Sequence, residues 1–327
     1  MTDLVTRAQI IMLAETVDVE PERLAGLERL DVARLRALRE RISDVLFDEH
    51  AQTFARVSKL APLVPNALVA KLSEALVPPL VAGRAAGALG TAHPGRAAGV
   101  LALLSARYMA DCAPYLDPRT ISALAPVIPV PLLVGAANEL MVRRAYVTAS
   151  RFLNYAGPEL IQDFERGIPD DVGLLMTAAL TDTPRRLAVI VRLLPRQRVE
   201  SIVRSAATGE EPLLAGLSLL SRLDDGPRSE LGETFFAALD DERLGWVLRT
   251  ATRHGAVPEL LGVASRLSEP TLRLIGGSPA LADDGMLEDL VEQALARGRR
   301  AELESVVAAM GGPAARRAAE LLAEPAA

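Results

Sequence analysis

The chain has very few aromatic residues, a single cysteine, three histidines and two lysines. Each scarcity excludes something. With aromatics at 3% of 327 residues, no set of stacking rings is available to interleave with basic side chains, and the net charge is −6. Nucleic-acid binding through such a surface is therefore disfavoured. One cysteine, Cys112, cannot form an intramolecular disulfide, and it points to a reducing, cytoplasmic setting. His50, His93 and His254 are far apart, and none has a partner at metal-ligand spacing. The start, Met1-Thr-Asp-Leu4, lacks the basic and apolar regions of a signal peptide. Basic charge is almost all arginine, a bias that fits a GC-rich bacterial genome.

Half the residues are hydrophobic, and these are mainly Ala, Leu and Val. Such a composition suits packed helices better than a β-sandwich. Over 61–205 the apolar segments recur on a regular beat. Arg84, Arg96, Arg107 and Arg119 are 12, 11 and 12 residues apart, and the pentapeptide Gly83-Arg-Ala-Ala-Gly87 returns at Gly95–Gly99. Pro131 and Arg143 extend the beat, followed less regularly by Pro158, Pro169, Pro184 and Pro195. A fixed period is the mark of a stacked array. Apolar residues at i, i+3, i+4, as in Ile121, Leu124 and Ala125, make each unit a helix. Asp117-Pro118 and Thr183-Pro184 read as helix starts, with a cap residue followed by Pro in the first turn. Helices of about eight to ten residues do not hold themselves in water, so each must lean on its neighbours. The small residues of the pentapeptides would let them approach closely.

The expected fold is all-α: an α-solenoid, a right-handed superhelix of short helices at about a 12-residue pitch, with hairpins of about 24 residues. The expected divisions are a helical N-terminal cap at 1–58, a central solenoid at 59–208 and charged C-terminal helical repeats at 209–327. The last boundary rests on Thr208-Gly-Glu-Glu-Pro212. In the N-terminal segment, Met1–Val17 and Pro21–Leu30 read as helices, and Asp31 caps a longer one. Leu35, Leu38, Ile42 and Val45 form a heptad-like seam on it, suited to packing on the array or to dimerisation. The C-terminal helices are expected over Leu213–Arg222, Pro227–Leu239, Asp241–Arg253, Val257–Leu267, Met286–Ala296, Ala301–Met310 and Ala314–Leu322, with Gly276–Pro279 as a turn.

The cadence of Leu116-Asp-Pro-Arg119, Leu194-Pro-Arg196 and Gly167-Ile-Pro-Asp-Asp171 resembles the superhelical N-terminal domain of the MgtE-type magnesium transporters. It is also similar to the helical repeats of flagellar motor switch proteins. The resemblance covers about 61–205 and implies a cytosolic, regulatory helical module. It carries over no magnesium ligand, since the acidic character of the transporter domain is missing and neither a nucleotide-sensing domain nor a pore follows.

Chemistry-bearing patterns are few. Asp170-Asp171, Asp224-Asp225, Asp240-Asp241 and Asp283-Asp284 are carboxylate pairs that could hold a divalent cation. Each stands at a predicted helix start, where acidic residues serve as caps. No phosphate loop or nucleophile motif is present. The expectation is therefore no enzyme, no cofactor, no metal site and no catalytic residue. Residues 120–138 carry no charge, but Pro126, Pro129 and Pro131 would break a membrane-spanning helix there. Between Leu60 and Val142 the charged side chains are only Lys71, Glu74, Arg84, Arg96, Arg107, Asp111, Asp117, Arg119 and Glu139. This charge-poor stretch is either a sheltered interior or an open apolar groove. The candidate groove residues are Leu89, Leu101, Leu104, Tyr108, Met109, Leu124, Leu133 and Leu140. The function expected is a non-enzymatic scaffold or regulatory module that binds a protein partner, or its own copy, along that groove. A carrier or sensor of an apolar small molecule, such as a fatty acyl chain, is the alternative.

Overall fold

The structure is a computed structural model, and it describes residues 4–58, 64–116, 124–153 and 155–323. Among these every regular element is a helix. The chain divides into two compact units, 2–183 and 184–327.

In the N-terminal unit the α-helices are α1 (Leu4–Val17), α2 (Val32–Ser58), α3 (Asn66–Leu76), α4 (Pro79–Ala92), α5 (Pro94–Leu101), α6 (Ala106–Cys112), α7 (Val130–Val142), α8 (Tyr146–Leu153), α9 (Pro158–Gly167) and α10 (Asp171–Ala179). Four pairs of short helices pack one on the one after next, α3 on α5, α4 on α6, α7 on α9 and α8 on α10, while α6 packs on α7. The first residues of stacked helices, Asn66 and Pro94, Pro79 and Ala106, Val130 and Pro158, and Tyr146 and Asp171, are 28, 27, 28 and 25 positions apart. The expected hairpin of about 24 residues matches the last of these and is short of the other three, where turns and 3-10 segments add to the helices. Side chains tie successive layers at a similar interval. Tyr108 Oη donates to the Val77 carbonyl at 2.8 Å, 31 residues back, and Asn138 Nδ2 donates to the Gly167 carbonyl at 2.8 Å, 29 residues on.

Close approach through small residues holds at Gly83, where a Cβ would lie 2.7 Å from the Cys112 carbonyl oxygen. It does not hold at Gly95, which has nothing within 4 Å of that position. Residues 117–123, including the Asp117-Pro118 start, lie outside the described residues.

The N-terminal segment packs on the array through α2, which contacts α4 and turns Arg34, Glu40, Arg41 and Asp44 outward. Val5, Thr6, Ala8, Gln9, Ile10, Met12, Leu13 and Ala14 are all buried, leaving one less covered face of α1 at Leu4, Arg7, Ile11 and Glu15. A helix apolar nearly all round belongs in an interior. Here it packs against α2 and α8, so residues 4–58 are part of the unit rather than an appendage. On α2 the seam is covered only at its start: Leu35 is fully buried, Leu38 and Ile42 are half-buried, and Val45 is 62% exposed. Asp31 Oδ1 accepts from the Arg34 amide at 2.8 Å, the predicted start. The predicted helix at Pro21–Leu30 is a 3-10 helix over Pro21–Arg29.

In the C-terminal unit the helices are α11 (Pro184–Leu193), α12 (Arg196–Ser205), α13 (Glu210–Ser221), α14 (Asp225–Ala237), α15 (Asp241–Arg253), α16 (Val257–Ala264), α17 (Glu269–Gly276), α18 (Asp284–Ala296), α19 (Arg300–Met310) and α20 (Gly312–Ala323). The same ladder continues: α12 on α14, α14 on α16, α16 on α18, α17 on α19, α18 on α20. The division falls at Thr183/Pro184, so Thr208–Pro212 is an internal turn of this unit, closing a 3-10 segment and opening α13. The core is aliphatic, with Leu213, Leu217, Leu223, Leu244 and Leu248 essentially inaccessible. Phe235 and Phe236 sit edge to face at 5.2 Å in the same interior.

Candidate functional site

The expected groove residues of the N-terminal unit are interior. Leu101, Met109 and Leu124 form one buried cluster with Ile128 and Ala136, and Leu104 and Leu133 pack against its edge. Leu140 belongs to a second cluster with Met141, Ala149 and Ile168. Tyr108 is buried, with its hydroxyl spent on the Val77 carbonyl. The side chain of Leu89 lies outside the described set. These positions are the seams between stacked helices, which explains their apolar character.

The apolar side chains left uncovered in this unit stand elsewhere. On α3, Leu68, Leu72 and Leu76 are all exposed, Leu76 at 74%. A spacing of four places them in one row along a helix. Exposed Lys71 flanks that row, and Val81, at the start of α4, is exposed as well. Only Ala70 of α3 is buried. The opposite edge of the helix is anchored: a Glu74 carboxylate oxygen accepts from the backbone N–H of Ser105, the cap residue of α6.

A second cluster was not foreseen. Gln9 of α1, Arg36 and Arg39 of α2, Arg151 of α8 and Asp182 meet around a small polar chamber, also lined by Ser150, Tyr155 and Thr181. Gln9 Nε2 donates to Asp182 Oδ2 at 3.2 Å, and Arg36 Nε is 3.7 Å from the same oxygen. Burial lowers the Arg39 guanidinium from its ordinary value, against the pull of Asp182 and Glu40. Arg151 pairs with Glu15 at 3.4 Å, and burial raises the Glu15 carboxyl despite that arginine. Three arginines and one carboxylate, Asp182, line the chamber, while Glu40 and Glu15 pair with Arg36 and Arg151 outside its lining. Its free volume of about 10 Å³ is that of one water. Gln9 Oε1 is buried and without a hydrogen-bond partner, which such a water would satisfy. The cluster fastens α1, α2 and α8 together. The signal for it in the sequence was Gln9 inside an otherwise apolar helix.

The carboxylate pairs act as caps. Asp170 accepts from the Gly173 amide at 2.9 Å, Asp240 from Arg243 at 2.7 Å, and Asp283 from Gly285 at 3.1 Å and Met286 at 3.4 Å. Asp224 makes no such bond, while its neighbour Asp225 pairs with Arg266 at 3.0 Å. Among the described residues no three His, Cys, Asp or Glu side chains gather where a metal ion could be held.

His93 is the residue before α5, and His254 ends α15 with Nε2 3.2 Å from Glu210 Oε2. The side chain of His50 lies outside the described set. Cys112 is buried, and desolvation pushes its thiol up to about 12, with Asp111 adding to the rise and the Tyr108 hydroxyl opposing it. Among the described residues no helix is long and apolar enough to cross a membrane.

Set against protein-family models, curated proteins and solved structures, the chain matches none.

Proposed function

We propose that the chain is a non-enzymatic helical-repeat scaffold, working in the cytoplasm, which binds a protein partner through the exposed leucine row of α3. In this reading the two ladders of stacked helices wind as right-handed solenoids. The observation that carries it is the uncovered row Leu68, Leu72 and Leu76. An apolar row of this kind marks an interaction site. Its spacing matches the face an amphipathic helix presents to another helix. The occupant proposed is an amphipathic helix of the partner, with a carboxylate meeting Lys71. The non-enzymatic part draws support from how the nucleophile and base candidates are used. Cys112 is buried and protonated, and His254 is engaged by Glu210.

The test places a photo-crosslinking amino acid at Leu72 in the full chain in cells. A discrete adduct with one protein that disappears in the variant L68E/L76E is the expected result. Absence of any adduct, or an adduct indifferent to those changes, overturns the reading. Sedimentation of the purified chain separates out self-association: a dimer that becomes a monomer in L68E/L76E makes the partner a second copy.

A further inference from the structure

The C-terminal unit encloses a void of about 40 Å³ between α15 and α20. Its walls include Leu248, Leu261, Leu303, Val306, Val307 and Ala318, and every side chain that lines it is apolar. All of them are less than a tenth exposed. Native interiors are packed to crystal density, and voids larger than a water are few. This one has room for more than a single water, each needing about 10–15 Å³. It offers no polar atom to hold one, and cavities of that kind stay dry and accept apolar guests. It is well below the roughly 150 Å³ that accommodates benzene. The guest is therefore small: a few carbons, or a single polarisable atom.

Met310, the last residue of α19, lines the void. The next two residues, Gly311 and Gly312, have φ of +67° and +80°, a left-handed turn that glycine adopts without strain. On the other side Gly276 leaves the space that the Met310 side chain uses, since a Cβ there would overlap Met310 Cγ. Methionine is unbranched and changes rotamer readily. One wall of the void is thus a flexible side chain set between two backbone segments that make way for it.

We infer that this void is a binding site for a small apolar group, either a free molecule of two to four heavy atoms or the terminal carbons of an aliphatic chain, admitted past Met310. The apolar-ligand expectation thereby moves from 60–142 to the C-terminal unit, away from the α3 row.

The test uses the full chain and dissolved xenon, followed by the ¹²⁹Xe chemical shift. A saturable shift with one site per chain is expected. It should be lost in V306I/V307I, whose two added methyl groups occupy the space while circular dichroism stays native. A318V, which fills from the opposite wall, serves if the double variant fails to fold. A series of 1-alkanols distinguishes the sources. A rise in melting temperature that grows with chain length, present in the wild type and absent in the filled variant, identifies a chain end. A response to xenon alone identifies a small free molecule. No saturable xenon shift, or the same shift in both filled variants, overturns the proposal.

Discussion

Glu15 on α1 and Arg151 on α8 stand 136 residues apart in the chain and 3.4 Å apart in the fold. The arginine is 4% exposed at its side chain, and it also donates to the Pro114 and Leu116 carbonyls. One guanidinium thus serves α1 and the turn after α6 at once. Truncating it leaves the half-buried Glu15 carboxylate with Thr148 as its remaining donor and takes the arginine donor from two carbonyls. R151A is expected to cost about 3–5 kcal/mol, the range for breaking a buried pair from one side. Urea unfolding of the full chain, followed by circular dichroism, measures it, and R151K should recover only part because it cannot fork to several acceptors.

The two acids Glu15 and Glu233 should respond to pH in opposite directions. At Glu233 burial alone would raise the carboxyl, but hydrogen bonds from the Ser268 amide, Thr271 and the Ser268 side chain outweigh it and leave it below 4.5. Its contribution is present above the unfolded pKa and is lost as pH falls through the lower folded value. Glu15 is raised, so its ionisation weakens the fold, and that loss is relieved as pH falls through its folded value towards 4.5. In melting curves between pH 7 and 3, E233Q should lose about 1–2 kcal/mol at pH 7 and flatten the acid limb. If E233Q retains the full acid dependence of the wild type, the assignment is wrong.

Capping and metal binding by the Asp pairs make different predictions for single changes. D240A removes the acceptor of the Arg243 amide and should cost about 1 kcal/mol. D224A, at a cap without such a bond, should cost clearly less. Neither difference should change when magnesium is added to the melt.

Cys112 should be silent in the native state. A thiol with its pKa pushed up to about 12 and shielded by packing is almost wholly protonated at pH 8. Labelling with an aromatic disulfide is expected to proceed only as fast as the N-terminal unit opens, and to become immediate in denaturant. Fast labelling of the folded chain would contradict the burial.

What was legible in the sequence was what periodicity and end signals carry. The start and end of α15 at Asp241 and Arg253 were read to the residue, because Asp240 caps one end. The Asp pairs were recognisable as caps for the same reason. α17 escaped notice although Ser268 and Pro270 mark its start, since eight residues ending in Gly276-Gly277 look like loop. Burial of Leu101, Met109, Leu124 and Leu140 was not legible, because an apolar face reads the same whether it meets another helix or solvent. Leu101 and Leu72 have equal claims in the sequence, and only packing buries one and leaves the other open. The void near Met310 has no sequence signal at all, since it arises from how several helices fail to meet.

The threading of α1 has a further consequence. Gln9 reaches Asp182, 173 residues on, so the first and last segments of the N-terminal unit are buckled together. In the C-terminal unit even a distant tie such as Glu210 to His254 spans only 44 residues. Duplication of a hairpin could lengthen that second ladder without disturbing its neighbours. The first cannot grow in the same way, because any inserted rung would pull its buckle apart.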